Sequence, residues 1–207
     1  MKDHSALIRS YARQARQYDH RWARYNRATL RATLDAVPWE RLGKILNVSC
    51  GTGLLEEAVQ PLQPGREIVG VDISMAMLEQ ARRKLTGAHE IRLVNAAAEA
   101  LPFAEASFDA VLCANSFHFY RQPERVLQEF HRVLRAGGCL VVVDWCDDYL
   151  ACKICDRLLR LVDPAHFRTY GMKECRRLLT AANFEIELGQ RFKIDWLWGL
   201  MTFRAHA

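Results

Sequence analysis

The sequence predicts an open α/β sheet, doubly wound and mostly parallel, on three observations. A short apolar strand breaks into a glycine turn, Ile45-Leu46-Asn47-Val48-Ser49-Cys50-Gly51-Thr52-Gly53, and helical patterning resumes at Leu54. Apolar strands and amphipathic helices then alternate, the pattern of parallel strands joined by right-handed crossovers. Finally, two strands near 184–190 and 192–204 stand close enough to form a hairpin.

The elements follow in order. Leu7, Tyr11, Ala15, Tyr18, Trp22, Tyr25 and Thr29 recur at spacings of three and four, so residues 5–36 read as one or two amphipathic helices. Arginines 9, 13, 16, 21, 24, 27 and 31 take most of the other faces. Pro38 closes the segment, because the residue before a proline is pushed out of helix. Strand one is 45–49, and Pro61, Pro64 and Gly65 connect to strand two at 67–72. Ser74 is placed to cap a helix over 75–86 that Gly87 stops. Strand three is 90–94, and strand four, 108–114, is the near-continuous apolar run of a strand buried on both faces. Pro123 opens a helix through Leu134, ended by Gly137-Gly138 before strand five at 139–144. Helices near 148–162 and 172–182 precede the hairpin. Alternation puts Trp196, Trp198 and Leu200 on one face of the last strand, either as core or as an apolar wall for a ligand. With no repeat or linker, residues 1–207 read as a single domain: a helical segment 1–40, a binding core 41–145, and C-terminal helices and hairpin 146–207.

Composition narrows the function. Half of the 207 residues are apolar, enough for a full core, and no apolar run reaches the length of a membrane span. The first residues lead into no signal-peptide core, so a cytoplasmic protein is expected. Seven cysteines, an odd number scattered through core-like segments, suit reduced thiols. The net charge of +5 sits at the N-terminus: residues 1–44 hold ten Lys or Arg against four Asp or Glu. A nucleic-acid enzyme usually spreads its basic residues over a face of the domain, so this pattern argues against a nucleic-acid substrate.

Strand, glycine turn, helix and a second strand ending on Asp72 form a nucleoside-binding arrangement. Gly51 and Gly53 let backbone approach the ligand, and Asp72, nineteen residues past Gly53, accepts hydrogen bonds from ribose hydroxyls. The dinucleotide fingerprint wants a third glycine where Glu56 stands, and a carboxylate at that helix N-terminus would repel a pyrophosphate. A triphosphate-binding G-x-x-x-x-G-K-[ST] loop is absent. A nucleoside without phosphates fits best.

Here the chain resembles a known family. ILNVSCGTG is similar to the first motif of class I S-adenosylmethionine-dependent methyltransferases, of the small-molecule, methyltransferase domain 11-like type. VGVDIS with Met77-Leu78, AAAEALPF with SFD, and RVLRAGG resemble the next three motifs in order, across about residues 40 to 145. The resemblance implies a Rossmann-like sheet of seven strands, its last strand antiparallel beside strand five, with an N-terminal helical lid. It implies S-adenosylmethionine as cofactor and in-line methyl transfer to a small-molecule acceptor. The implied cofactor contacts are Asn47, Ser49, Cys50, Gly51, Gly53, Asp72, Ile73, Met77, Ala97, Ala98, Asn115 and Tyr18. Tyr11 or Tyr18 would face the methionine end if the N-terminal helix is a lid. The plainer alternative is a helix packed on the sheet with a solvated basic face.

Asn47 and Ala97 stand where the family pattern has aspartate, and Ser49 replaces its first glycine. These departures motivate an alternative, a weak or inactive cofactor-binding protein. Candidate groups at the mouth of strands four and five are Asn115 and His118, then Asp144, Trp145 and Cys146; His118 is the candidate base, with lining of the site as its plainer role. Cys146, Cys152 and Cys155, with Cys175 and His166, could bind a soft metal or a metalloid acceptor, although buried structural thiols are the default and no metal site is assigned. A further alternative is a lipid or quinone methyltransferase that touches the membrane through its basic N-terminal helix. An obligate protein partner is not evident.

Overall fold

The computed structural model describes residues 4–162 and 166–207. Met1–Asp3, on which the expectation of no leader partly rests, lie outside the described residues.

Seven strands form one sheet in the order β3-β2-β1-β4-β5-β7-β6. They are β1 (Lys44–Val48), β2 (Glu67–Asp72), β3 (Ile91–Asn95), β4 (Phe108–Ala114), β5 (Leu134–Trp145), β6 (Glu185–Lys193) and β7 (Gly199–His206). β1 to β5 are mutually parallel, while β7 runs antiparallel between β5 and β6. The chain therefore steps outward one way through β2 and β3 and the other way through β4 and β5. That reversal beside β1 opens a crevice at the strands' C-terminal ends, where open sheets bind ligands. Successive residues of the central strands serve opposite layers: Leu46, Val48, Val111 and Val142 face one core, and Ile45, Ala110, Leu112 and Val143 the other.

The helices are α1 (Ser5–Gln14), α2 (Tyr18–Arg21), α3 (Ala23–Ala36), α4 (Leu54–Leu62), α5 (Met75–Lys84), α6 (Pro123–Val133), α7 (Leu150–Val162) and α8 (Met172–Ala181). The N-terminal region is thus three helices, not one or two. Its apolar spacing runs unbroken through the turns because α1 and α3 present the same periodicity to different neighbours. α3 buries Tyr25, Thr29, Thr33 and Ala36 in the domain, whereas α1 has no fully buried residue.

Two other boundaries differ from expectation. Gly137 and Gly138 lie within β5, where pairing with β4 slips between Leu134 and Cys139; α6 already ends at Val133. Gly137 has φ +72°, and a side chain on Gly138 would sit 2.7 Å from the Arg135 carbonyl, so the glycines serve this irregularity. Trp196 is not on the last strand: it stands 81% exposed in the turn before β7. Among the described residues, no helix is long and apolar enough to cross a membrane.

Candidate functional site

The turn after β1 is built on left-handed backbone, with φ +60° at Ser49, +57° at Gly51 and +76° at Gly53. A Cβ added to Gly51 would meet nothing within 4 Å, so the space before this glycine is open. Gly53 works differently: a Cβ there would lie 3.0 Å from Leu85 and 3.1 Å from Ala81, so it permits close packing of α4 on α5. Gly53 does not line the crevice.

Asp72, at the end of β2, ties this turn in place. Its Oδ2 accepts the Gly51 N–H at 2.9 Å, and its Oδ1 accepts the Ser74 N–H at 2.8 Å. Burial pushes the Asp72 carboxyl up, while these two amides pull it down. Each carboxylate oxygen has a second lone pair, so the group can still accept from a ligand hydroxyl. The expected Ser74 cap is not made by its side chain; Ser74 Oγ is buried without a partner.

The crevice has a volume of about 1140 Å³ including its open mouth. Asn47, Ser49, Cys50, Gly51, Asp72, Ile73, Met77, Ala98, Asn115 and Tyr18 line it. Ala97 does not; Ala96 and Ala98 take the lining positions on either side. Nor does His118, although its neighbours Phe119 and Tyr120 do.

Two departures from the family pattern have local partners. Asn47 Nδ2 donates to Glu56 Oε1 at 2.9 Å, and Glu56 is fully buried. An aspartate at 47 would set two carboxylates together there. The expectation that Glu56 would repel a phosphate from the helix end is corrected by the same contact, since its side chain packs inward over Gly70. Ser49 Oγ lies 2.9 Å from Tyr120 Oη, so its side chain is held by a hydroxyl of the far wall.

Three helical residues that the sequence does not mark as site residues complete the covering. Leu7 and Ile8 of α1 line the crevice beside Tyr11, whose ring stands 5.5 Å from that of Phe119. Asp19 of α2 latches the cover shut: one carboxylate oxygen accepts from Thr52 Oγ1 in the glycine turn, and the other meets Lys84 Nζ of α5 at 2.6 Å. Both readings of the N-terminus therefore apply, to different helices: α3 packs on the sheet, and α1 with α2 covers the crevice. Burial, then Asp72, Asp19 and Asp144, holds the Tyr18 hydroxyl well above the usual phenol range, so Tyr18 remains a neutral donor.

Behind Phe119 lies a second constellation. His118 Nδ1 is 2.7 Å from Asp144 Oδ1, and the His118 N–H donates to Asp144 Oδ2 at 3.0 Å. A carboxylate can only accept, so Nδ1 is the donor of this bond and Nε2 is left to face the other way. The His118 ring stacks on Trp145 at 5.5 Å, and Trp145 packs on Trp198 at 4.4 Å and Tyr25 at 6.3 Å. His166 stands 5.8 Å from His118 and is bonded through Nε2 to Asp156. The thiols are dispersed: Cys152 Sγ accepts the Gly199 N–H at 3.2 Å, and among the described residues no three metal-ligating side chains are arranged to hold a metal ion.

The residues fit a nucleoside with a polar amino-acid end. Asp72 offers acceptor capacity, Gly51 an open cradle, and Asn26 Nδ2, Ser74 Oγ and Asn115 Oδ1 are buried polar atoms without partners, on residues that line the crevice.

Comparison with known proteins agrees. Residues 46–142 match the family model described as a methyltransferase domain. The demethylmenaquinone methyltransferase of Thermus thermophilus is 38% identical over 123 residues, 59% of this chain and 54% of its own length. The chain thus spans about half of that relative. Among solved structures, a methyltransferase from Thermotoga maritima superposes with TM-score 0.79 at 21% identity, covering 97% of this chain and 99% of its own. The 1,6-didemethyltoxoflavin-N1-methyltransferase of Burkholderia thailandensis, solved with its substrate and S-adenosylhomocysteine, gives TM-score 0.75 at 20% identity, covering 98% and 87%. These structural likenesses establish the fold.

Proposed function

We propose that this chain, whose residues 46–142 match a methyltransferase domain, is an S-adenosylmethionine-dependent enzyme that methylates a small, largely apolar aromatic acceptor. The observation that carries the proposal is the meeting of Asp72, the open face of Gly51 and an aromatic wall at one covered crevice, with a His–Asp pair behind the wall. When bound, S-adenosylmethionine supplies a sulfonium methyl that is already electrophilic.

Most of the protein's task is then to hold the acceptor in line and keep water out. Asp72 would hold the ribose hydroxyls, Gly51 would leave room for the ligand, and Asn26 and Asn115 would serve its polar end. Leu7, Ile8, Tyr11 and Tyr18 close the crevice from above. Tyr11, Tyr18, Phe119 and Tyr120 line the crevice and would offer an aromatic wall for a planar ring. His118, oriented by Asp144, is the proposed base; its ring stands behind Phe119, so Phe119 would have to turn aside for Nε2 to reach the acceptor's proton. The Thermus relative is named as acting on a demethylmenaquinone, which favours a quinol-like acceptor here.

A binding protein without turnover is the second reading, motivated by Asn47, Ser49 and Ala97. Two of these have local partners, and the third lies off the crevice. The test is a methyl-transfer assay over quinols, phenols and aromatic amines. Turnover is expected with an aromatic acceptor, and His118→Gln should lower kcat about 10²- to 10⁴-fold without weakening cofactor binding. Cofactor binding with no turnover across the panel would favour the second reading.

A further inference from the structure

We propose that the outward face of α7, with Trp196 beside it, docks on an anionic phospholipid surface and so receives an acceptor dissolved in the membrane. The clause about the acceptor rests on the methyltransferase reading; the docking does not.

Eight large apolar side chains are exposed among the described residues, and six of them gather here. Leu150 is 74% exposed, Ile154 52%, Leu158 57%, Leu161 83% and Val162 75%, with Trp196 at 81%. The helical five follow spacings of four, four, three and one, so they form one stripe rather than a scatter. Cys152 on the inner side of α7 lies 3.5 Å from the Leu197 carbonyl, which brings the Trp196 turn against the helix.

The charges around the stripe choose the partner. Lys153, Arg157 and Arg160 are exposed along its edge, and the helix's one acidic residue, Asp156, is turned inward to His166, Thr169 and Arg160. Arg191 and Lys193 sit over the Tyr149 ring, at the N-terminal end of α7. Of the nearby carboxylates, Asp148 is engaged by Arg191 and the Met172 amide and Asp195 by Arg24 and two turn amides, while Asp147, close to Lys153 and Arg160, keeps one buried oxygen without a partner. An apolar stripe edged by cations suits anionic headgroups over acyl chains. A symmetric pairing of two copies would instead bring the same cations together around the seam.

The inner face of α7 links this surface to the site. Cys155 and Leu159 pack on the cluster of Tyr25, Trp145 and Leu200, and Trp145 stacks on His118, so docking would set the membrane beside the proposed base. The membrane contact expected from the basic N-terminus thus shifts to α7, with Arg24 reaching the same turn through Asp195 at 3.4 Å.

The test is co-sedimentation of the full chain with vesicles of phosphatidylcholine, alone or mixed with phosphatidylglycerol. Binding to the mixed vesicles is expected, weakened at least about tenfold by Ile154→Asp with Leu158→Asp. Brominated lipid should quench tryptophan fluorescence in the unaltered chain, and Trp196→Phe should remove most of that quenching. Absence of vesicle binding, or binding unchanged by the double substitution, would overturn the proposal. So would a concentration-dependent dimer, seen by sedimentation velocity, that the same substitutions abolish. Cofactor titration separates the two readings: variants that lose vesicles should still bind S-adenosylmethionine. Failure of the unaltered chain to bind it would strike the methyltransferase reading and leave the docking intact.

Discussion

Ser49 holds φ at +60°, a conformation that costs a non-glycine residue roughly 1–2 kcal/mol, and its hydroxyl bonds Tyr120. A hydrogen bond returns about 1 kcal/mol, so the two effects nearly cancel. Ser49→Gly, which loses both, should melt close to the unaltered protein. Ser49→Ala, which keeps the strain and loses the bond, should be less stable by about 1 kcal/mol in denaturant titration. Glu56 gives a sharper test. Burial pushes its carboxyl from 4.5 up to about 7, against the Asn47 amide and Lys84. The folded chain thus keeps a proton that the unfolded chain has released, and stability falls as pH rises from about 4.5 to about 7 before levelling. Glu56→Gln removes this dependence and should gain roughly 3 kcal/mol relative to the unaltered protein between pH 5 and pH 8. Parallel melting curves across that range would contradict it. The sequence marked both positions as unusual. Their partners, Tyr120 and Asn47, became visible only when the fold brought β1, α4 and the segment after β4 together.

The elements that build the sheet were legible because each burial pattern is local: β2 and β4 fall where the apolar runs place them. The cover was less so. A spacing of three and four cannot distinguish one helix from three, nor say which surface each covers. Asp19 carried no signal, because a lone aspartate among arginines reads as solvated charge; its work depends on Thr52 and Lys84. If the latch holds α2 over the crevice, Asp19→Ala should release cofactor about tenfold faster, consistent with the 1.5–3 kcal/mol of a hydrogen bond to a charged group. The melting temperature should change little, because α1 and α2 contain no fully buried residue. Stopped-flow displacement measures the rate, and an unchanged rate would remove the latch from the account.

For the whole molecule, the reversal of strand order beside β1 gathers into one crevice groups that are far apart in the chain. Asp72 and the glycine turn were readable from strand, turn, strand and acid in sequence. Asn26 and Tyr120 were not, because they reach the site from α3 and from the segment after β4. His118 was named from sequence, and the structure sets it beside the crevice wall, paired with Asp144. The central claim is that this crevice holds S-adenosylmethionine through Asp72. Calorimetric titration with S-adenosylmethionine and S-adenosylhomocysteine tests it most directly, on the unaltered protein and on Asp72→Ala. The account expects micromolar binding of both ligands, weakened at least about tenfold by the substitution. Absence of binding up to millimolar ligand, or equal binding by Asp72→Ala, would contradict it.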